Sequence, residues 1–561
     1  MTTESLNQLL PTDQQNKIVK VIIRLSEFLQ RDWVILPLIM IFGVILRLIN
    51  IGSEPYWVDE IVGLQVTKQF QNFGELFSHL KLAEYYPPLY FIALHYWTNM
   101  FGYGEMAVRL LSVMFGTGVI ILTYVLGKNL FPHYRVGLIS ASIVAILPIQ
   151  IEYSQEARPY IIFCFFGLLA AISLWKYLES KQWRYLIYFN LTTVVGLYLH
   201  YSFVLFLAAA YGYWLLMIIY YRRQSTGPRF LPLVMSGALI FVAFWPWLDG
   251  PLAQIFLSKY KLMDGEWNIS SARPQLFFES VFNQLIWLSK IDYWDSVSIT
   301  IFFVIKLAFV GALLALLLKR HNETIKLISD HGRAIFFIII LAIVPIIFFI
   351  FTPQSLNYTA IIERHIIISS VFITYLIALL LTQCKGLAKI ILFGGFCATI
   401  LTLDVVILKD DSVFDIYHRY QFMGEYLNTH YRPDDTVIVS DGLRRSALSF
   451  YLDKKIDNLE TFFPIQYHAE SKNDDVFGGR NVFSFIETVS LNRSSPITTQ
   501  AIGQKINLII KKERANRVWL VGFDKEYGKT KTEISEWLLN NQWHELFSSS
   551  FLGLELYEHK K

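Results

Sequence analysis

A polytopic α-helical membrane protein with a soluble α/β domain at its C-terminal end is the fold class this sequence predicts, on three observations. Of 561 residues, 54% are hydrophobic and 16% aromatic, and the mean hydropathy is +0.41, well above that of an ordinary soluble chain. Apolar stretches long enough, or nearly so, to cross about 30 Å of hydrocarbon recur from Trp33 to the region of Ala388. From about Asp410 onward, charged and turn residues are spread throughout and no spanning run remains. The net charge of +4 is small for this length, so no global basic field points to a nucleic-acid partner.

Residues 1–32 read as a cytoplasmic segment, polar and mixed in charge, without the pattern of a cleavable signal peptide, so the first span is expected to remain as an anchor. Residues 33–408 hold the spans, which begin near Trp33, Val108, Gly137, Tyr160, Tyr185, Ser202, Phe230, Ser298, Ala334, Ile366 and Ala388. That gives about eleven to thirteen transmembrane helices. Pro88 to Phe101 is apolar but short for a crossing, and reads as a short or re-entrant helix starting at Pro87-Pro88. Cys164, Cys384 and Cys397 lie in or beside apolar runs and lack the paired spacing of a disulfide framework or zinc site.

Lysines and arginines in short loops set the orientation, because basic residues are retained on the cytoplasmic side. Lys17 to Arg31, Lys128 and Arg135, Lys181 and Arg184, Arg222 to Arg229, Lys319 to Lys326, and Lys385 and Lys389 form one set of loops. The opposite set carries Asp59 and Glu60, Glu156 and Arg158, His200, the loop from Gly250 to Asp295, Glu363 to His365, and everything after Lys409. Gly250 to Asp295 is a lid or acceptor platform, or an interfacial amphipathic segment.

The tail, residues 409–561, reads as an extracytoplasmic α/β domain. Strands are predicted at Thr436–Asp441, Arg517–Phe523 and Leu552–Glu558, helices at Leu443–Leu452 and Glu533–Asn541, and a loop at Ser471–Arg480. Gly522 to Thr530 looks like a phosphate loop, but five residues separate its glycines where the nucleotide-binding form has four, so nucleotide binding is rejected.

The chemistry lies in the non-cytoplasmic loops. A carboxylate such as Asp59 or Glu60 can remove a proton from an acceptor hydroxyl as it attacks, and an arginine can grip two oxygens of a phosphate. Each residue has a plainer role available: Pro87-Pro88 can simply start a helix, Arg158 and Arg364 can snorkel to lipid phosphates, Glu156 can pair with Arg158, and His200 can be an interfacial structural residue. What favours function is that all these loops fall on one side. No histidine cluster stands at ligand spacing, so neither a metal nor an organic cofactor is expected, although Asp59 and Glu60 together could hold a divalent ion.

Trp57-Val58-Asp59-Glu60, Tyr86-Pro87-Pro88-Leu89-Tyr90, Arg109 before an apolar run, Tyr153-Ser154-Gln155-Glu156-Ala157-Arg158-Pro159-Tyr160, Leu199-His200-Tyr201 and Glu363-Arg364-His365 together resemble the GT-C membrane glycosyltransferases. The nearest branch is the bacterial group related to protein O-mannosyltransferases and the aminoarabinose transferase of lipid A. The resemblance covers about Trp33 to Leu408. Tyr86 stands where many relatives carry histidine or lysine.

The resemblance implies an active site on the extracytoplasmic side of a bacterial plasma membrane, a polyprenyl-phosphate sugar donor, and transfer with inversion to a protein, lipid or glycan acceptor. By the same resemblance Asp59 is the general base and Glu60 supports it or positions the acceptor. Arg158 and Arg364 hold the donor phosphate, and Tyr86, Pro87, Pro88, Glu156, Tyr160, His200, Tyr201, Glu363 and His365 line the pocket. Another lipid-linked glycan transferase or ligase, a transporter, and a non-catalytic envelope assembly protein stay open as alternatives. A transporter would carry ionisable groups near the bilayer midplane.

Overall fold

In a computed structural model, the described residues are chiefly 32–69, 72–83, 87–132, 135–223, 227–248, 321–350, 362–383, 391–402, 415–432, 435–441, 450–452, 459–463, 517–521, 535–549 and 554–559. Tyr86, the side chain of Glu363, the loop Gly250 to Asp295, the span near Ser298, Cys384, most of Leu443–Leu452, Ser471–Arg480 and the whole loop Gly522 to Thr530 lie outside them. The chain divides into two compact units, one comprising Met1–Ile51, Leu80–Tyr90 and Arg109–Lys409, the other Gly52–His79, Phe91–Val108 and Asp410–Lys561.

The helices, in chain order, are α1 (Asp32–Leu48), α2 (Val58–Gln69), α3 (Phe73–Ala83), α4 (Leu89–Phe101), α5 (Glu105–Leu130), α6 (Val136–Ile146), α7 (Pro148–Glu152), α8 (Tyr160–Ser180), α9 (Trp183–Leu199), α10 (Phe203–Tyr220), α11 (Phe230–Trp247), α12 (His321–Ile350), α13 (Ile362–His365), α14 (Ile367–Thr382) and α15 (Asp415–His430). Among the described residues five are long and apolar enough to cross a membrane: α5, α8, α10, α11 and the Ser329–Ile347 part of α12. The segment expected as a span from Gly137 is instead broken. Pro148 has no N–H to continue the ladder, so α6 stops at Ile146 and α7 restarts at Pro148 as a single short turn of helix.

The first unit is a helical bundle. α8 and α9 form a hairpin whose turn is made by Lys181, left-handed at φ 57° and returning its N–H to Tyr177 O at 2.8 Å. Polar side chains stitch the apolar helices in the buried interior: Tyr375 Oη donates to Thr123 O at 2.7 Å between α14 and α5, and Gln150 Nε2 donates to Ser370 Oγ at 2.9 Å between α7 and α14. Asn190, Ser236 and Tyr211 join α9, α11 and α10, with Tyr211 Oη 2.7 Å from Ser236 Oγ. Small residues let backbones meet: a Cβ on Gly127 would fall 2.5 Å from Gly137 Cα, so α5 and α6 touch along their main chains.

In the second unit a mixed five-stranded sheet runs β2-β1-β3-β5-β4, from β1 (Asp435–Asp441), β2 (Leu459–Phe463), β3 (Arg517–Val521), β4 (Trp543–Ser549) and β5 (Leu554–His559). β1 lies parallel to both β2 and β3, while β5 pairs antiparallel with β3 and β4. Buried Asp435 on β1 is matched from β3, accepting from Trp519 Nε1 at 2.8 Å and facing Arg517 Nε at 3.4 Å.

The close crossing of α5 and α6 is open to test. A Cβ on Gly137 would lie 2.6 Å from Tyr124 O and 3.1 Å from Lys128 N, both rigid main-chain atoms. Gly137→Val is expected to destabilise by about 1–3 kcal/mol, read as a lowered Tm in detergent. Gly212→Ala in α10, where nothing lies within 4 Å, should hold or slightly raise it.

Candidate functional site

The segment joining α7 to α8, residues 153–159, is the centre of the site, and three anchors hold it. The first is Arg47, in the last turn of α1 and fully buried. Its guanidinium donates to Ala145 O at 2.9 Å and Val144 O at 3.2 Å, the carbonyls left open where Pro148 interrupts the helix, and to Gly43 O at 3.0 Å. Its Nε donates to Ser154 Oγ at 3.1 Å, and that hydroxyl in turn donates to Gln150 O. Gly116 makes room, since a Cβ there would overlap Ser154 and sit 3.2 Å from Arg47 Nε.

The second anchor runs the other way. Gln155 Nε2 donates to Ile49 O at 2.7 Å and lies within 3.2 Å of Arg47 O, covering carbonyls at the end of α1. Thus α1 caps the broken end of α6, and the turn after α7 caps the end of α1. The third anchor is Ser112 Oγ, donating to Glu156 O at 2.7 Å. Nearby, Arg109 Nη1 donates to Ile51 O at 3.0 Å and secures the exit of α1.

This turn delivers Arg158 and Tyr160 to one end of the bundle, where the end of α9 and the starts of α8, α10 and α14 converge. The ring of Tyr160 lies 5.4 Å from that of His200 and 6.0 Å from that of His365, and the Arg364 guanidinium sits 5.5 Å from its centroid. The two imidazoles are 5.1 Å apart, and Phe163 stacks on His200 at 5.7 Å. Ser202 ties both: its backbone N–H donates to His200 Nδ1 at 3.1 Å, and its hydroxyl lies 2.7 Å from His365 Nδ1. A backbone N–H can only donate, so neutral His200 carries its proton on Nε2. Tyr201 Oη accepts from Trp247 Nε1 at 2.8 Å.

Charge in this cluster is positive. Arg158 and His200 are buried, and three helix N-termini add partial positive charge. Burial, then the Arg364 and Arg158 guanidiniums, push His365 down to about 3; burial, then His365 and the two arginines, hold His200 well below its usual 6.5. Both rings are therefore neutral near pH 7, and the site suits an anion.

In the second unit, Asp59 and Glu60 occupy the first turn of α2. Trp57 is the N-cap, its carbonyl accepting Ile61 N–H at 3.0 Å, and Glu60 reaches back to accept Trp57 N–H at 3.2 Å. Glu60 is 1% exposed and Asp59 only partly covered. Pro87 and Pro88, which belong to the first unit and are both buried, precede α4. Among the described residues no group of three or more His, Cys, Asp or Glu side chains could hold a metal ion.

Thus Arg158, Tyr160, His200, Arg364 and His365 come together, with Glu156 held in the same turn through its carbonyl. Arg47 and Ser202 were not singled out from the sequence; for Arg47 the signal was present, a lone charge inside an apolar run.

Residues 86–248 match the sequence profile of the family described as dolichyl-phosphate-mannose-protein mannosyltransferase. No curated protein sequence matches the chain. Among solved structures, ArnT from Cupriavidus metallidurans bound to undecaprenyl phosphate superimposes with a TM-score of 0.54 at 12% identity, covering 94% of this chain and 97% of that one. The chain has the GT-C fold. ArnT in its apo state gives a TM-score of 0.53 at 11% identity, with the same coverage. The GT-C likeness extends to the apo oligosaccharyltransferase of Archaeoglobus fulgidus, with a TM-score of 0.50 at 12% identity, covering 91% of this chain and 72% of that one. The GT-C resemblance drawn from the motifs is thereby borne out.

Two outcomes are expected of this cluster. Arg47→Met leaves the Val144 and Ala145 carbonyls without their donor, at about 1–3 kcal/mol for each, and should sharply lower Tm in detergent. For His365 the sign follows from linkage: below about 6.5 the unfolded chain binds a proton that the folded ring refuses until about 3, so stability is complete above that range and falls with pH inside it. The slope of Tm against pH between about 6.5 and 5 should be shallower in His365→Gln, which keeps a partner for Ser202 and removes the titration.

Proposed function

We propose that this protein is a membrane glycosyltransferase that moves a sugar from a polyprenyl-phosphate donor to a protein, lipid or glycan acceptor on the extracytoplasmic side of a bacterial plasma membrane. The observation that carries the reading is the Arg158–Tyr160–His200–Arg364–His365 cluster, a positive, aromatic-lined anion site within a fold that ArnT uses in a structure holding undecaprenyl phosphate. The profile match over residues 86–248, to a family named for transfer from a lipid-phosphate sugar, supports the same chemistry.

In this reading an acceptor hydroxyl attacks the anomeric carbon, its oxygen–carbon bond forming as the bond from that carbon to the phosphate oxygen breaks. The electron pair leaves with the phosphate, where Arg158 and Arg364 stabilise the growing negative charge. Asp59 takes the hydroxyl proton. Glu60, tied to the backbone at Trp57, holds the turn that presents Asp59. Attack opposite the leaving group inverts the anomeric centre. Tyr160, with Pro87 and Pro88 before α4, gives the apolar and aromatic surface a sugar or a lipid head requires. The guanidiniums supply the positive charge, so the reading needs no metal.

A second reading, transfer of a preassembled glycan from its lipid carrier, is favoured by the fold likeness to the archaeal oligosaccharyltransferase. One experiment separates them: purified protein is offered a panel of radiolabelled polyprenyl-phosphate monosaccharides and lipid-linked oligosaccharides with an envelope extract. Transfer from a monosaccharide donor is expected, lost by at least about a hundredfold in Asp59→Asn with donor still bound. Arg158→Ala and Arg364→Ala should each weaken donor binding about tenfold or more. Full turnover in Asp59→Asn would remove the base assignment, and labelled product from oligosaccharide donors alone would select the second reading.

A further inference from the structure

The helix bearing the two carboxylates is gripped at both ends, and part of that grip comes from the C-terminal region. At its start, Tyr56 is 1% exposed and held from three directions. Its backbone N–H donates to Tyr451 Oη at 2.8 Å, its phenol donates to Tyr103 O at 2.9 Å, and its ring meets that of Phe450 edge-on at 5.6 Å and 89°. At the far end, Thr67 O lies 2.9 Å from His95 Nδ1, and Lys68 Nζ stands 5.8 Å from the centroids of both Tyr103 and Phe450. Phe450 therefore packs against Tyr56, just before α2, and lies near the Lys68 ammonium from its last turn.

Tyr451 is itself fixed by its own region. Gly424 of α15 leaves just enough space for it, since a Cβ there would fall 2.8 Å from Tyr451 Cβ and 2.9 Å from its carbonyl oxygen, and Asn428 Nδ2 donates to that oxygen at 3.2 Å. The chain of support runs from α15 through Tyr451 to the Tyr56 amide, then to Trp57, the N-cap of α2. Asp59 follows two residues later. The dihedral angles of residues 56 and 57 decide how the chain enters the helix and hence how Asp59 is aimed.

We propose that Tyr451, backed by Phe450, is a positioning residue: it fixes the entry into α2 and thereby the aim of the Asp59 carboxylate, making the C-terminal region part of the catalytic apparatus. This rests on the reading of Asp59 as the base. A phenol oxygen on a main-chain N–H is suited to the task because it constrains direction without adding charge beside the base, and the edge-on ring of Phe450 limits rotation of Tyr56.

The test uses full-length protein in nanodiscs, comparing wild type, Tyr451→Phe, Phe450→Ala and Asp59→Asn. Amide hydrogen exchange of the peptide spanning Tyr56 to Glu60 is measured alongside kcat, donor KM and the stoichiometry of donor binding. Tyr451→Phe keeps the ring and removes the hydroxyl that accepts from the Tyr56 amide. It is expected to speed exchange at the Tyr56 amide about tenfold and to lower kcat by between about tenfold and a hundredfold, with donor KM and stoichiometry unchanged. Loss of a merely structural contact would instead reduce donor stoichiometry and leave kcat per bound donor intact. Unchanged exchange in Tyr451→Phe, or faster exchange with full kcat, would overturn the proposal. Full turnover in Asp59→Asn would overturn the base reading and the proposal together; an inert Asp59→Asn beside a fully active Tyr451→Phe would overturn the positioning role alone.

Discussion

A buried guanidinium answers the main problem this bundle sets itself. Breaking a helix in an apolar environment exposes carbonyls that have no water to turn to, and each unsatisfied group is costly. The break at Leu147-Pro148 is nevertheless what lets the chain turn and deliver Arg158 and Tyr160 to the site. Arg47 makes the break tolerable by donating to Val144 and Ala145, and it extends the same group to Ser154 in the turn itself. A lysine could not do all of this, because its single ammonium lacks the planar, multi-directional fork. Gln155 closes the circuit by covering the end of α1. In the Ser154-Gln155-Glu156-Ala157-Arg158 stretch, the first two side chains therefore build the turn, while Arg158 lies beside His200 and His365.

The cluster at the end of the bundle combines permanent and conditional charge. Arg158 and Arg364 remain cationic at any pH the protein meets, and burial, reinforced by these charges, keeps His200 and His365 neutral. Neutral imidazoles can stand beside guanidiniums without repulsion, fill space against Tyr160 and Phe163, and still offer N–H donors. Ser202 sets their orientation, since one short turn supplies both a fixed donor to His200 and a reversible hydroxyl to His365.

Much of this was legible in the sequence, for physical reasons that differ by region. Long apolar runs announce helices such as α5, α8 and α10 because hydrophobicity alone determines them. Alternation and β-branched residues likewise mark Asp435–Asp441, whereas Leu459–Phe463 and Trp543–Ser549 lack so clear a pattern and were not foreseen. The broken helix at Pro148 was missed because hydropathy averages across it and registers no break. Arg158, His200 and Arg364 stood out as polar groups beside apolar runs, and loops at the same end of neighbouring helices must meet. Ser202 left no such trace, being a small hydroxyl residue like many others. The role of Tyr451 depends on a contact with Tyr56, 395 positions away, which local pattern cannot show.

Reciprocal capping between α1 and the turn after α7 also has a consequence in time. During synthesis α1 emerges before these partners: Ala145 and Ser154 lie 98 and 107 residues downstream of Arg47. Until they arrive, the only acceptor of Arg47 seen in the folded protein that is already at hand is Gly43 O, on its own helix. The acceptors of Arg47 on α6 and the hydroxyl of Ser154 exist only once those later segments have been made, which ties the burial of this single charge to their arrival.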